Sequence, residues 1–96
     1  KLTEPAADLA AIAAIAASCK NLAADPHMLI FGEAGLTGEV RAVANAQRRI
    51  DEGAKLGFNA AIVPRANLKG LKQPDGMKIY GVGSVGELLD LIFVKE

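Results

Sequence analysis

Residues 9–18 contain only leucine, alanine and isoleucine before a closing serine, with no charge anywhere in the run. This composition predicts a helix. A helix that is apolar all the way round has to be covered on most of its sides. Its many alanines let neighbouring backbone come close. A chain of 96 residues, enough for one domain at most, has little material for such cover. The expectation is therefore that an upstream layer or a partner supplies part of it. The run is too short to cross a bilayer, and no signal-peptide pattern precedes it, so no membrane partner is expected. Thr3 is placed as N-cap and Pro5 in the first turn, where a missing N–H costs little. Glu4 and Asp8 suit the positive end of the helix dipole. Lys20 and Asn21 close the helix, and Ala24-Asp25-Pro26 breaks it.

The rest of the chain alternates strand and helix signals. Residues 28–32, Met-Leu-Ile-Phe-Gly, read as a central strand. Residues 34–38 read as a turn, and residues 39–43 alternate polar and apolar as a half-buried strand does. Together these predict a hairpin. Residues 45–56 are the clearest amphipathic helix, with Ala46, Ile50 and Ala54 on one face, an Asp51–Lys55 pair at i,i+4, and Gly57 as the C′ residue. Residues 58–64 contain a buried strand, 65–76 a polar loop with lysines and prolines, and 78–82 a further strand. Ser84 to Glu87 has capping-box spacing and opens a last helix over 88–93. Helices alternate with single and paired strands, so the fold class is α/β (α+β) with a mixed sheet, in one domain over 1–96.

Composition excludes several functions. Eleven basic residues balance eleven acidic ones, against a basic nucleic-acid arm or an acidic tail, although a zero net charge can hide a local basic patch. Aromatic content of 4% without tryptophan argues against a base-stacking surface. One cysteine, Cys19, and one histidine, His27, cannot close an intrachain zinc site or a disulfide. Cys19 reads as a small buried hydrophobe and points to a reducing, cytoplasmic compartment. His27 reads as solvated or capping. Residues 81–86 spell G-x-G-x-x-G, but a dinucleotide site needs an acidic residue about 20 positions later on a further strand, and the sequence given runs only ten residues past Gly86. A tight strand-to-helix turn capped by Ser84 explains the glycines. There is no G-x-x-x-x-G-K-[ST] phosphate loop. Ser18 lies inside a helix and Ser84 at a cap, so neither sits where a nucleophile would. Arg41, Arg48, Arg49, Arg65, Lys69 and Lys72 are either solubilising charges, some paired with Asp51 and Glu52, or a phosphate-backbone surface.

Two stretches carry a resemblance. One is Leu2-Thr3-Glu4-Pro5-Ala6-Ala7-Asp8-Leu9-Ala10. The other is Phe31-Gly32-Glu33-Ala34-Gly35-Leu36-Thr37-Gly38-Glu39-Val40-Arg41-Ala42-Val43, continuing through Gln47-Arg48-Arg49-Ile50 and Ala54-Lys55-Leu56-Gly57-Phe58 to Ala61-Ile62-Val63-Pro64. Together they resemble the C-terminal domain of the bacterial RadA (Sms) family of DNA repair proteins, which is similar to the proteolytic domain of Lon proteases. The resemblance extends over essentially all of the chain. It implies a Lon-like fold, similar to the second domain of ribosomal protein S5, with its first strands upstream of Lys1, so that the chain is the later portion of such a domain. It also implies a parent with a zinc finger and a RecA-like ATPase, hence zinc, ATP and magnesium upstream but no cofactor here. The implied partners are single-stranded or branched DNA, other recombination proteins and further copies in a hexameric ring.

Lon-type hydrolases use a Ser-Lys dyad, in which a desolvated lysine takes the serine proton. The matching stretch here is Pro5-Ala6-Ala7-Asp8, which places Ala6 at the nucleophile position. Counting back from Gly57-Phe58 places Gln47 at the lysine position. Neither side chain can perform its part. The resemblance therefore implies a non-catalytic scaffold for ring assembly and DNA contact, with Arg41, Arg48 and Arg49 assigned to face DNA. A Lon-like ATP-dependent serine peptidase using another nucleophile is the alternative, and a nucleotide-binding domain using residues 81–86 is a third.

Overall fold

The computed structural model describes residues 4–23 and 25–93. A 3-10 turn, Pro5–Ala7, leads into helix α1, Asp8–Cys19. The strands that follow are β1 (Met28–Ile30), β2 (Glu33–Ala34) and β3 (Val40–Arg41). Helix α2 spans Ala46–Lys55, strand β4 Ala60–Pro64, and a second 3-10 turn Arg65–Asn67. Strand β5, Lys78–Val82, and helix α3, Val85–Ile92, complete the order.

Strands β1, β4 and β5 form a parallel sheet in the order β1-β4-β5, with Ile30 opposite Ile62 and Ile62 opposite Tyr80. The central strand is β4, and its run Ala-Ala-Ile-Val-Pro is the one that needs burial on both faces. Its side chains alternate between two apolar clusters. Ile62 joins Leu9 and Ala13 of α1, Val40, Val82 and Leu88 of α3 on one face. Ala61 and Val63 join Phe31, Ala46, Ile50 and Met77 on the other, beneath α2. The class is thus mixed α/β, as expected, with α1 and α3 on one side of the sheet and α2 with segment 65–77 on the other.

Several expectations change. The strand read as central is an edge strand among the described residues, because its neighbour β4 has two partners and β1 has one. The hairpin does not use β1 either. It pairs Glu33 with Arg41 and Ala34 with Val40. Gly32 separates the two: a Cβ there would meet Leu9 Cδ2 at 2.8 Å, Pro64 Cγ at 3.3 Å and Val40 Cγ1 at 3.4 Å. The absent side chain lets the start of α1 dock on the backbone, where Gly32 N–H donates to Ala6 O at 2.8 Å and Leu9 N–H to Gly32 O at 3.1 Å. The chain therefore leaves the parallel sheet at Gly32 and begins the ribbon one residue later.

Helix α1 begins at Asp8 after the 3-10 turn, with Pro5 in that turn as its missing N–H favours; the expected Thr3 cap lies outside the described residues. Asn21, at φ +59, turns the chain out of the helix. Only one side of α1 is covered among the described residues, with Leu9 and Ala13 buried and Ala11, Ala14 and Ile15 exposed. Cys19 is exposed, not buried, because residues 18–23 all extend past the sheet. Gly57, at φ +101, terminates α2 as expected, with Phe58 N–H donating to Gly53 O at 3.0 Å.

Candidate nucleic-acid interface

Segment 65–77 has almost no regular structure, yet two side-chain amides fasten it to the connection between β3 and α2. Asn67 reaches back to that connection: Val43 N–H donates to Asn67 Oδ1 at 2.9 Å, and Asn67 Nδ2 donates to Val43 O at 3.1 Å. Gln47, in the first turn of α2, reaches the other way. Lys72 N–H donates to Gln47 Oε1 at 2.8 Å, and Gln47 Nε2 donates to Lys72 O at 3.0 Å. Each amide satisfies the donor and the acceptor of one residue, as an antiparallel strand neighbour would. Gln47 Nε2 also donates to Asp51 Oδ1 at 3.0 Å, so the acid expected to pair with Lys55 bonds this glutamine. Sequence reasoning missed Asn67. Its amide type was visible in the polar loop, but its partner lies 24 residues away.

The three arginines assigned to DNA differ in their surroundings. Arg49 Nη2 lies 3.2 Å from Glu4, its Nε donates to Ala44 O at 3.2 Å, and its guanidinium stacks 5.8 Å from the Phe31 ring centroid. Arg41 bonds Glu39 Oε2 through Nε and Nη2 at 3.1 and 2.8 Å. Arg48 is exposed and has no salt bridge among the described residues. None of the six basic candidates forms a salt bridge with Asp51 or Glu52 among those residues, and Arg49 bridges instead to Glu4 before α1. Lys69 and Lys72 are exposed on the clamped segment. Residues 41–78 hold eight of the eleven basic side chains and three of the eleven acidic ones. Glu4, Asp8, Glu87 and Asp90 belong to the opposite, α1 and α3 layer. Zero net charge thus conceals a basic stretch over 41–78 between more acidic ones, a signal that counting charge by segment would have revealed.

The other candidate positions have structural partners or none. Ala6 is buried, its methyl carries no polar atom, and its carbonyl accepts from Gly32. Gln47 is occupied by Lys72 as above. Ser84 caps α3, its Oγ accepting from Glu87 N–H at 3.1 Å. Glu87 fills the adjacent turn with its own carboxylate, which accepts from Gly83 N–H at 2.6 Å and from Arg65 Nη2 at 2.6 Å. The place where a pyrophosphate would sit in a G-x-G-x-x-G turn is therefore taken by a side chain. The Arg65 hydrogen bond, then the Gly83 amide, holds the Glu87 carboxyl below its usual range. His27 is exposed, its own N–H bonding Asp25 Oδ1 at 2.9 Å. Ser18 is exposed in the last turn of α1. Among the described residues no group of three His, Cys, Asp or Glu side chains could hold a metal, and no helix is long and apolar enough to cross a membrane.

The hairpin tip is ordered by Glu39. Its carboxylate accepts from Thr37 Oγ1 at 2.5 Å, from Thr37 N–H at 3.2 Å and from Arg41. The Thr37 hydroxyl leads in lowering the Glu39 pKa to about 2, helped by Arg41. A Cβ at Gly35 would fall on this carboxylate, so a larger residue there would displace Glu39 from its partners.

No family model matches the chain. Comparison with curated proteins is informative. A DNA repair protein RadA of Streptococcus pyogenes serotype M1 is 45% identical over 93 residues, which is 97% of this chain and 20% of that protein. The chain matches a segment of RadA. RadA of Bacillus subtilis is 47% identical over 89 residues, 93% of this chain and 19% of the relative. RadA of Halalkalibacterium halodurans is 43% identical over 91 residues, 95% of this chain and 20% of the relative. The matched part of RadA is C-terminal, and the chain spans about a fifth of the length of these relatives.

Proposed function

We propose that the chain is a non-catalytic, Lon-like segment of a RadA-type DNA repair protein, contributing DNA contact and ring assembly. The RadA match over 93 residues is the observation that carries this reading. The chemistry of two positions supports the non-catalytic part. Alanine has no attacking atom at position 6, and the Gln47 amide has no basic lone pair at neutral pH and is already bonded to Lys72. The concentration of basic residues between 41 and 78 supports DNA contact. Nucleotide chemistry, with its ATP and magnesium, and a structural zinc finger would belong to other segments of such a protein, acting in the cytoplasm on branched recombination intermediates with other recombination proteins. Arg48 is the assigned arginine best placed to meet a phosphate, because Arg41 and Arg49 already bond carboxylates.

The test is fluorescence anisotropy of a labelled single-stranded oligonucleotide at several salt concentrations. Binding should weaken linearly with salt on a double-logarithmic plot. Arg48→Ala should reduce the slope by roughly 0.7, the value for one phosphate contact on a single strand. Binding that does not respond to salt, or an unaltered slope in the variant, would remove the DNA part. Sedimentation would then examine assembly alone.

A further inference from the structure

We infer that segment 65–77 is a phosphate-contacting arm that presents Lys69 and Lys72 to a polyanion, with Gln47 and Asn67 as its positioning residues. This deepens the DNA-contact reading and rests on it for the identity of the polyanion. Connections of this length without regular structure are usually mobile. This one is pinned along its length. Asn67 grips Val43 near its start, Gln47 grips Lys72 in the middle, and Gln73 Nε2 donates to Met77 O at 2.7 Å near its end. Between the amides Leu71 N–H donates to Leu68 O at 3.0 Å, and Gly70 at φ +78 takes the left-handed corner of that turn. Leu68 packs against Gly81, where a Cβ would strike it, and Leu71 packs on the cluster beneath α2. Lys69 therefore stands at the corner of an anchored turn, and Lys72 leaves from a backbone held at both its N–H and its C=O.

Both lysines are exposed and neither has a salt bridge among the described residues. A depression of about 520 Å³ opens beside them, lined by Gln47, Asp51, Gly70, Lys72, Gln73 and Pro74. Asp51 is the one carboxylate among its lining residues, and it repels phosphate. Lys72 lines the depression and Lys69 adjoins the lining Gly70, so these two exposed side chains form its cationic rim. Amines on a fixed backbone lose less freedom on binding than amines on a mobile loop, which is what the two amide clamps supply. Two rim lysines match the repeating charge of a phosphate chain better than a single phosphate, since each contact adds a released counterion.

The test compares the 96-residue chain with Lys69→Ala/Lys72→Ala, Gln47→Ala and Arg48→Ala. Each is measured with a labelled single-stranded oligonucleotide across salt and, separately, with long-chain inorganic polyphosphate, while amide hydrogen exchange is followed at Lys72. The double lysine variant should lose roughly 1.4 from the oligonucleotide slope, two contacts' worth. Gln47→Ala keeps every charge. It should keep the slope, bind about three- to tenfold more weakly as the arm must be ordered on binding, and exchange faster at Lys72. An unchanged slope in the lysine variant overturns the arm, and a slope lowered in Arg48→Ala then leaves the DNA reading standing without it. Polyphosphate binding that needs the lysines, with no oligonucleotide binding, keeps the arm and removes DNA as its partner. Unaltered affinity and exchange in Gln47→Ala overturn the positioning role, and no binding of either ligand by the parent chain overturns both readings.

Discussion

Replacing Asn67 by alanine tests how far a single amide holds this fold together. The substitution removes two hydrogen bonds, at 2.9 and 3.1 Å, and leaves Val43 N–H and C=O without their partner. A hydrogen bond contributes about 0.5–1.5 kcal/mol net, and a buried polar group left unpaired costs about 1–3 kcal/mol. Val43 and Asn67 are half-buried, so water reaches the orphaned groups only in part. Taking the low end of the unpaired-group cost, about 1 kcal/mol for each of the two Val43 groups, gives a loss of about 2 kcal/mol. For a domain of this size that lowers Tm by roughly 8–16 °C, read by circular dichroism. Gln47→Ala supplies the internal comparison. It removes the equivalent pair of bonds and one to Asp51, but all from exposed groups that water can satisfy, so it should lose about 0.5–1 kcal/mol. The order of the two is what decides. A Tm shift below about 3 °C for Asn67→Ala, or a larger shift for Gln47→Ala, would refute the reasoning that burial sets the worth of these clamps.

Gly32→Ala should destabilise the chain by about 1–3 kcal/mol, because the added methyl meets Leu9, Pro64 and Val40 on three sides; urea unfolding measures it, and an unchanged midpoint would show that α1 can shift freely. Ser84→Ala removes the cap of α3 and should lose about 1 kcal/mol, visible as a lower Tm. Glu39 gives a pH dependence. Its folded pKa is lowered, so its contribution is complete above the usual carboxylate value of 4.5 and is lost as pH falls towards about 2. Stability curves of the parent and Glu39→Gln should converge across that window, and parallel curves would show that Thr37 and Arg41 do not hold the carboxylate in solution.

What the sequence disclosed follows from which forces are local. The period-four face of Ala46, Ile50 and Ala54 placed α2, and all three pack on the cluster beneath it. Ser84 gave the α3 cap, because its bond to Glu87 N–H is complete within four residues, although the Glu87 carboxylate turns to Gly83 N–H and Arg65. Strand order was not legible in the same way. Met-Leu-Ile looks equally apolar at the edge or the centre of a sheet, and only pairing with residues 32 positions on separates the two. Cys19 misled for a related reason: its neighbours in sequence are apolar, but the sheet ends before it does. The arginines show the limit most sharply. Arg48 and Arg49 are adjacent, so about 100° of helix rotation separates a solvent-facing charge from one stacked on Phe31 and bonded to Glu4.

The same geometry gives position 47 a reason to hold glutamine. The clamp on Lys72 needs an acceptor for the lysine's N–H and a donor for its C=O, and one amide provides both. A lysine side chain carries donors alone, so it could meet the carbonyl but not the amide, and it would bring a second charge beside Lys72. An acid would do the reverse and would face Asp51, which now accepts from Gln47 Nε2. Ala6 is similarly matched to its surroundings, since it lies buried where Gly32 N–H closes onto its carbonyl and a larger side chain would have to be accommodated. The two positions thus join different parts of the fold: the Ala6 carbonyl ties the start of α1 to Gly32, and the Gln47 amide ties the start of α2 to segment 65–77.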